Sequence, residues 1–127
     1  MKLPLYVSPV KAGFPSPAED FIDKKLDLNE HLIKHPAATF FVKVSGDSML
    51  NAGILSGDIL IVDRSLEPTN GKIIVAILNG EFTVKYFKKL SGKVVLSAAN
   101  PKYPDIQITA DMDFQIWGVV TNAIHKL

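Results

Sequence analysis

The chain has 127 residues, 47% of them apolar, a formal charge of +1 and no cysteine. That length suits one globular domain with a buried core, and the interspersed charges exclude the strongly basic surface of a sequence-independent nucleic-acid binder. Without cysteine there are no disulfides and no thiolate metal sites, and no apolar run approaches the roughly 18 residues that span a bilayer, so the expectation is a cytoplasmic protein that meets other proteins and no membrane.

Residues 1–15 carry Pro4, Pro9, Gly13 and Pro15, a spacing that forbids a helix and favours an extended, mobile arm. The first two of these prolines also interrupt the segment before the apolar core of a secretory signal could form. At Ser16-Pro17-Ala18-Glu19 the serine can cap a helix, the proline suits its first position and the glutamate can reach back to close a capping box. Phe21, Ile22 and Leu26 give that helix one apolar side. Asp27-Leu28-Asn29-Glu30 repeats the capping logic and starts a second short helix with Leu28, Leu32 and Ile33, which Pro36 ends.

From residue 38 onward the pattern changes to short β-branched and aromatic runs separated by Gly, Asn, Asp and Pro, which predicts an all-β body. Strands are expected near 38–44, 58–63, 72–78, 81–87, 93–98, 105–109 and 113–122. The clearest hairpin joins Ile73–Leu78 to Glu81–Lys85 through Asn79-Gly80, a pair that supplies the positive backbone angles of a tight turn. Alternation along the second of these strands puts Thr83 and Lys85 on one face and Phe82, Val84 and Tyr86 on the other.

Two residues stand out chemically. Ser48, in Ser45-Gly46-Asp47-Ser48-Met49, lies where the backbone can fold sharply and aim the amides of Asp47 and Ser48 at a developing oxyanion. Lys85 follows 37 positions later; a lysine brought from about 10.4 down to roughly 7–8 by desolvation can take the proton that makes a serine nucleophilic. Taken one at a time, the first motif reads as a polar turn and Lys85 as an edge-strand lysine that discourages aggregation. Thr83, two residues before the lysine, could orient its amine. His31, His35 and His125 have no metal-ligand spacing and read as structural. Lys88, Lys89 and Lys93 gather around Ser91-Gly92 as a solvated hairpin tip.

Taken together, Ser45-Gly46-Asp47-Ser48-Met49, Gly57-Asp58-Ile59-Leu60-Ile61-Val62-Asp63, Gly80-Glu81-Phe82-Thr83-Val84-Lys85 and Trp117-Gly118-Val119-Val120 resemble the LexA/UmuD family of self-cleaving proteins. Ala12-Gly13-Phe14-Pro15-Ser16-Pro17-Ala18 narrows the resemblance to the UmuD branch, where a similar run follows the self-cleavage point. The resemblance covers roughly residues 10–127. It implies a mostly β, curved and partly open barrel-like fold with short N-terminal helical segments and an extended arm. Residues 1–15 would be the arm and residues 16–127 the peptidase-like body.

By the same resemblance Ser48 is the nucleophile, Lys85 the general base, Asp47 and Thr83 the supporting residues, and Ala12–Gly13 the scissile bond; no cofactor and no metal are implied. The implied partners are a second copy in a homodimer, the RecA–single-stranded DNA filament as co-protease, and a UmuC-like polymerase subunit, with no sequence-specific DNA binding. The function implied is that of an SOS mutagenesis protein whose trimmed dimer serves an error-prone translesion polymerase. The alternatives are the peptidase part of a LexA-type repressor, a signal-peptidase-like enzyme, and an inert β-module. The few residues before Ala12 are too short for a helix-turn-helix unit, and no membrane segment accompanies the pair.

Overall fold

A computed structural model of the chain describes the backbone of residues 5–9 and the whole of residues 32–127. Among the described residues eight strands follow in chain order: β1 (Leu5–Pro9), β2 (Thr39–Val44), β3 (Ile59–Asp63), β4 (Ile73–Leu78), β5 (Glu81–Leu90), β6 (Lys93–Ser97), β7 (Ile106–Gln107) and β8 (Phe114–Ile124). They form one antiparallel sheet in the order β1-β2-β3-β8-β4-β5-β6-β7. The expected strands are therefore present, with β5 and β8 longer than their apolar runs suggested and β7 reduced to two residues. The helices expected from Ser16 and Asp27 lie largely outside the described residues. Pro36 opens a single 3-10 turn, Pro36–Ala38, that leads into β2.

Within the first fifteen residues, the extended stretch expected from the prolines includes a strand. Leu5 through Pro9 pair with β2 from Val44 back to Phe40. Pro9 is the last residue of this edge strand, a place where a missing amide costs little.

The turns follow their residue chemistry. Asn79 (φ 50°) and Gly80 (φ 81°) close the β4–β5 hairpin, and Ser91 (φ 50°) and Gly92 (φ 77°) close β5–β6 in the same way, matching the twist of the flanking strands as left-handed turn pairs do. Along β8 the register slips twice, against β3 between Ile61 and Val62 and against β4 between Val75 and Ala76. Such bulges bend and twist a sheet locally.

Because successive strand residues face opposite sides, the sheet carries apolar clusters on both. One gathers Val42, Val44, Met49, Ile54, Leu60, Val62, Val75 and Val84, with Phe82, Tyr86 and Trp117 packed against it. The other gathers Ile74, Ala76, Phe87, Leu96 and Val119. Lys85 stands opposite Ile74 and Thr83 opposite Ala76, which puts both polar side chains on the face of the second cluster. The first cluster includes Met49, so it anchors the residue directly after Ser48.

Candidate active site

Ser48 lies in the connection between β2 and the 3-10 turn Leu50–Ala52. Gly46 takes φ 102° there, a left-handed angle that glycine reaches without the steric cost of a Cβ. The loop after β6 fastens this connection. The Ala99 amide donates to the Ser48 carbonyl at 2.8 Å, and the Asn51 amide donates to the Ala99 carbonyl at 2.7 Å. Ser48 is 5% exposed.

Strand alternation brings Lys85 from β5 toward the same point. Its Nζ lies 3.1 Å from Ser48 Oγ, 3.0 Å from Thr83 Oγ1 and 3.3 Å from the Val84 carbonyl. Lys85 is 7% exposed, and no carboxylate among the described residues forms an ion pair with it. Burial therefore pushes its pKa below the ordinary lysine value, because desolvation disfavours the charged form.

A cleft of about 240 Å³ opens over the pair. Beyond Ser48, Thr83 and Lys85 its walls are Leu78, Glu81, Phe82, Tyr103, Pro104 and Ile106. Apolar walls around a few convergent polar groups are the usual make-up of a binding site.

Asp47 forms no ion pair with Lys85. Its Oδ1 accepts a 2.5 Å hydrogen bond from the Tyr103 hydroxyl, and its backbone carbonyl accepts from Asn100 Nδ2 at 2.9 Å. The Tyr103 ring centre is 5.8 Å from Lys85 Nζ. The hydrogen bond to Asp47, then burial and the carboxylate charge, raise the pKa of the tyrosine. Among the described residues, the amides of Asp47 and Ser48 donate to no backbone carbonyl. The sequence reading missed Asn100 and Tyr103. Both sit in an irregular loop, and the only available signal was the turn-forming Asn100-Pro101 pair.

Other residues named from sequence lie elsewhere. His35 Nδ1 meets Asp63 Oδ2 at 2.5 Å and His125 Nδ1 meets Asp58 Oδ1 at 2.8 Å, which gives both histidines buried carboxylate partners away from the cleft. No group of three or more His, Asp or Glu that could hold a metal occurs among the described residues. Lys88, Lys89 and Lys93 lie on the β5–β6 hairpin. Ala12, Gly13 and His31 fall outside the described residues. No helix among the described residues is long and apolar enough to cross a membrane.

Comparison with known proteins places these features in a family. Residues 4–121 match the model of the family described as Peptidase S24-like. Protein SamA of Salmonella typhimurium (strain LT2) is 46% identical over 123 residues, which cover 97% of this chain and 85% of SamA. Protein MucA of Escherichia coli is 42% identical over 123 residues, covering 96% of this chain and 84% of MucA. The LexA repressor of Ralstonia nicotianae is 41% identical over 126 residues, covering 98% of this chain but 57% of the repressor. With the matched region holding the whole Ser48–Lys85 cleft, and with 46% and 42% identity to SamA and MucA, the chain belongs to the peptidase S24-like family and to its UmuD-like members.

Proposed function

We propose that the protein is a UmuD-like SOS mutagenesis protein that cleaves itself between Ala12 and Gly13 by means of a Ser48–Lys85 dyad. The observation that carries the reading is the 3.1 Å separation of two buried groups, Ser48 Oγ and Lys85 Nζ, on the floor of an apolar-walled cleft. A neutral lysine amine has two N–H donors and one lone pair. Thr83 Oγ1 and the Val84 carbonyl occupy acceptor positions beside it, which leaves the lone pair for the Ser48 hydroxyl proton. Thr83 acts as the orienting residue.

In the proposed reaction Lys85 takes the Ser48 proton as Oγ forms a bond to the Ala12 carbonyl carbon. The amides of Asp47 and Ser48, which donate to no backbone carbonyl among the described residues, receive the negative charge on the tetrahedral oxygen. Collapse breaks the Ala12–Gly13 bond, and the Lys85 ammonium gives its proton to the departing Gly13 amine. Water then attacks the ester with Lys85 again as base, freeing the Ala12 carboxylate and restoring Ser48. Small residues at the bond let the backbone approach the nucleophile closely. Residues 1–15 serve as the arm and residues 16–127 as the body, and the cut leaves 115 of the 127 residues.

Biologically, the RecA–single-stranded DNA filament favours the state in which the arm is docked. A partner that shifts this equilibrium raises the rate without adding catalytic groups. The trimmed chain, as a homodimer in the cytoplasm, then joins a UmuC-like polymerase subunit. The identity of 46% to SamA against 41% to the repressor favours this role over that of a repressor's peptidase part.

Incubating the purified chain with activated RecA filament and weighing the products tests the assignment. The expected outcome is faster appearance of a fragment beginning at Gly13. Equal rates with and without the filament would remove the damage-response role, and a cut at another bond would remove the arm as substrate.

A further inference from the structure

Asp47 brings a carboxylate to the residue adjoining the nucleophile, whose hydroxyl lies 3.1 Å from the lysine that must lose its charge. Left free, that carboxylate would oppose the chemistry twice, by pairing with the Lys85 ammonium and by repelling the negative charge that develops at the adjacent amides. The carboxylate is not free. Tyr103 donates its hydroxyl to Asp47 Oδ1 at 2.5 Å, Asn100 holds the Asp47 carbonyl at 2.9 Å, and the Tyr103 ring faces Lys85 Nζ at 5.8 Å. The tyrosine therefore engages the carboxylate at one end and faces the amine with its ring.

Resting on the dyad reading above, we propose that Tyr103 is a positioning residue that ties back the Asp47 carboxylate, so that Lys85 can lose its proton and the oxyanion can form beside Ser48. The titratable groups around the amine fit this division of roles. Glu81 also lines the cleft but forms no ion pair with Lys85. Ser48, Thr83 and the Val84 carbonyl, which make the direct contacts, carry no charge. Asp47 is thus the acid whose release would change the charge state of Lys85.

Removing only the hydroxyl tests this. Tyr103→Phe keeps the ring over Lys85 and frees the carboxylate. A carboxylate freed to approach the amine favours its charged form, so the midpoint of the self-cleavage pH–rate curve should move up by about one pH unit, with roughly tenfold slower cleavage below it. Asp47→Asn added to Tyr103→Phe should bring the midpoint back, because the amide side chain carries no charge. A uniform loss of rate with an unmoved midpoint would make Tyr103 merely structural and overturn the proposal, as would an unchanged curve or a shift that persists in the double variant. Wild type and Ser48→Ala run alongside separate this outcome from failure of the dyad itself: cleavage by Ser48→Ala would sink the dyad reading whatever Tyr103→Phe does.

Discussion

Lys85 is held at 7% exposure with two hydroxyls and a carbonyl for company and, among the described residues, no paired carboxylate. This arrangement favours the neutral amine at a cost to the fold. Because burial puts the folded-state pKa below the unfolded value, the unfolded chain binds more protons between the two values, so stability rises with pH across that window. Below the folded-state value the desolvation cost is present in full. Lys85→Met should therefore unfold at higher urea concentration than wild type at neutral pH, by about 0.5–2 kcal/mol as is common when a functional group is relieved of a strained environment. The gain should shrink as pH rises toward the ordinary lysine value. A variant less stable than wild type at neutral pH would mean that the ammonium is well accommodated.

Local signals were strong where short-range geometry decides. Asn79-Gly80 announced the β4–β5 hairpin, and once that hairpin was fixed, alternation alone put Lys85 and Thr83 on one face. Ser48 and Lys85 were legible as a pair through the several motifs that together resemble a self-cleaving family, since each residue alone reads as a turn serine or an edge lysine. The loop that holds Asp47 was not legible, since Asn100 and Tyr103 reach it across sequence separations of 53 and 56 residues, and the Asn100-Pro101 turn signal names no partner. The β1–β2 pairing was hidden for a related reason: prolines and a short run give extended backbone but do not name a partner strand. The bulges in β8 escaped notice too, although Gly118 marks one of them. A Cβ at Gly118 would lie 2.6 Å from Val62 Cγ1 and 3.2 Å from Arg64 Cγ. Gly118→Ala should therefore destabilise the protein by about 1–3 kcal/mol, the usual cost of forcing extra volume into a packed site, measurable as a lower urea midpoint with an unchanged slope.

Across the whole molecule, the strand that closes one edge of the sheet and the proposed scissile bond belong to the same short segment. β1 ends at Pro9, three residues before Ala12. A cut after Ala12 would remove the covalent tether of β1, leaving its five backbone pairs with β2 to oppose the entropy of its release. Proteolysis would then convert β2 from an inner strand to an edge strand, a surface able to pair with another chain. Amide hydrogen exchange on β2 (Thr39–Val44) should accelerate after cleavage at the positions that face β1, while β4 and β8 in the centre of the sheet stay protected. Unchanged exchange on β2 would mean that the severed strand stays in place.

The proposed dyad is tested most directly by the pH dependence of self-cleavage in wild type, Ser48→Ala and Lys85→Ala. As pH rises through the lowered pKa of Lys85, the neutral fraction grows and the wild-type rate should climb with it, then level off. Release of the fragment beginning at Gly13 should fall by at least ~10³-fold in both variants, the scale on which removing a nucleophile or its base acts. Cleavage by Ser48→Ala or Lys85→Ala at the wild-type rate, or a wild-type rate that falls as Lys85 is deprotonated, would contradict the mechanism.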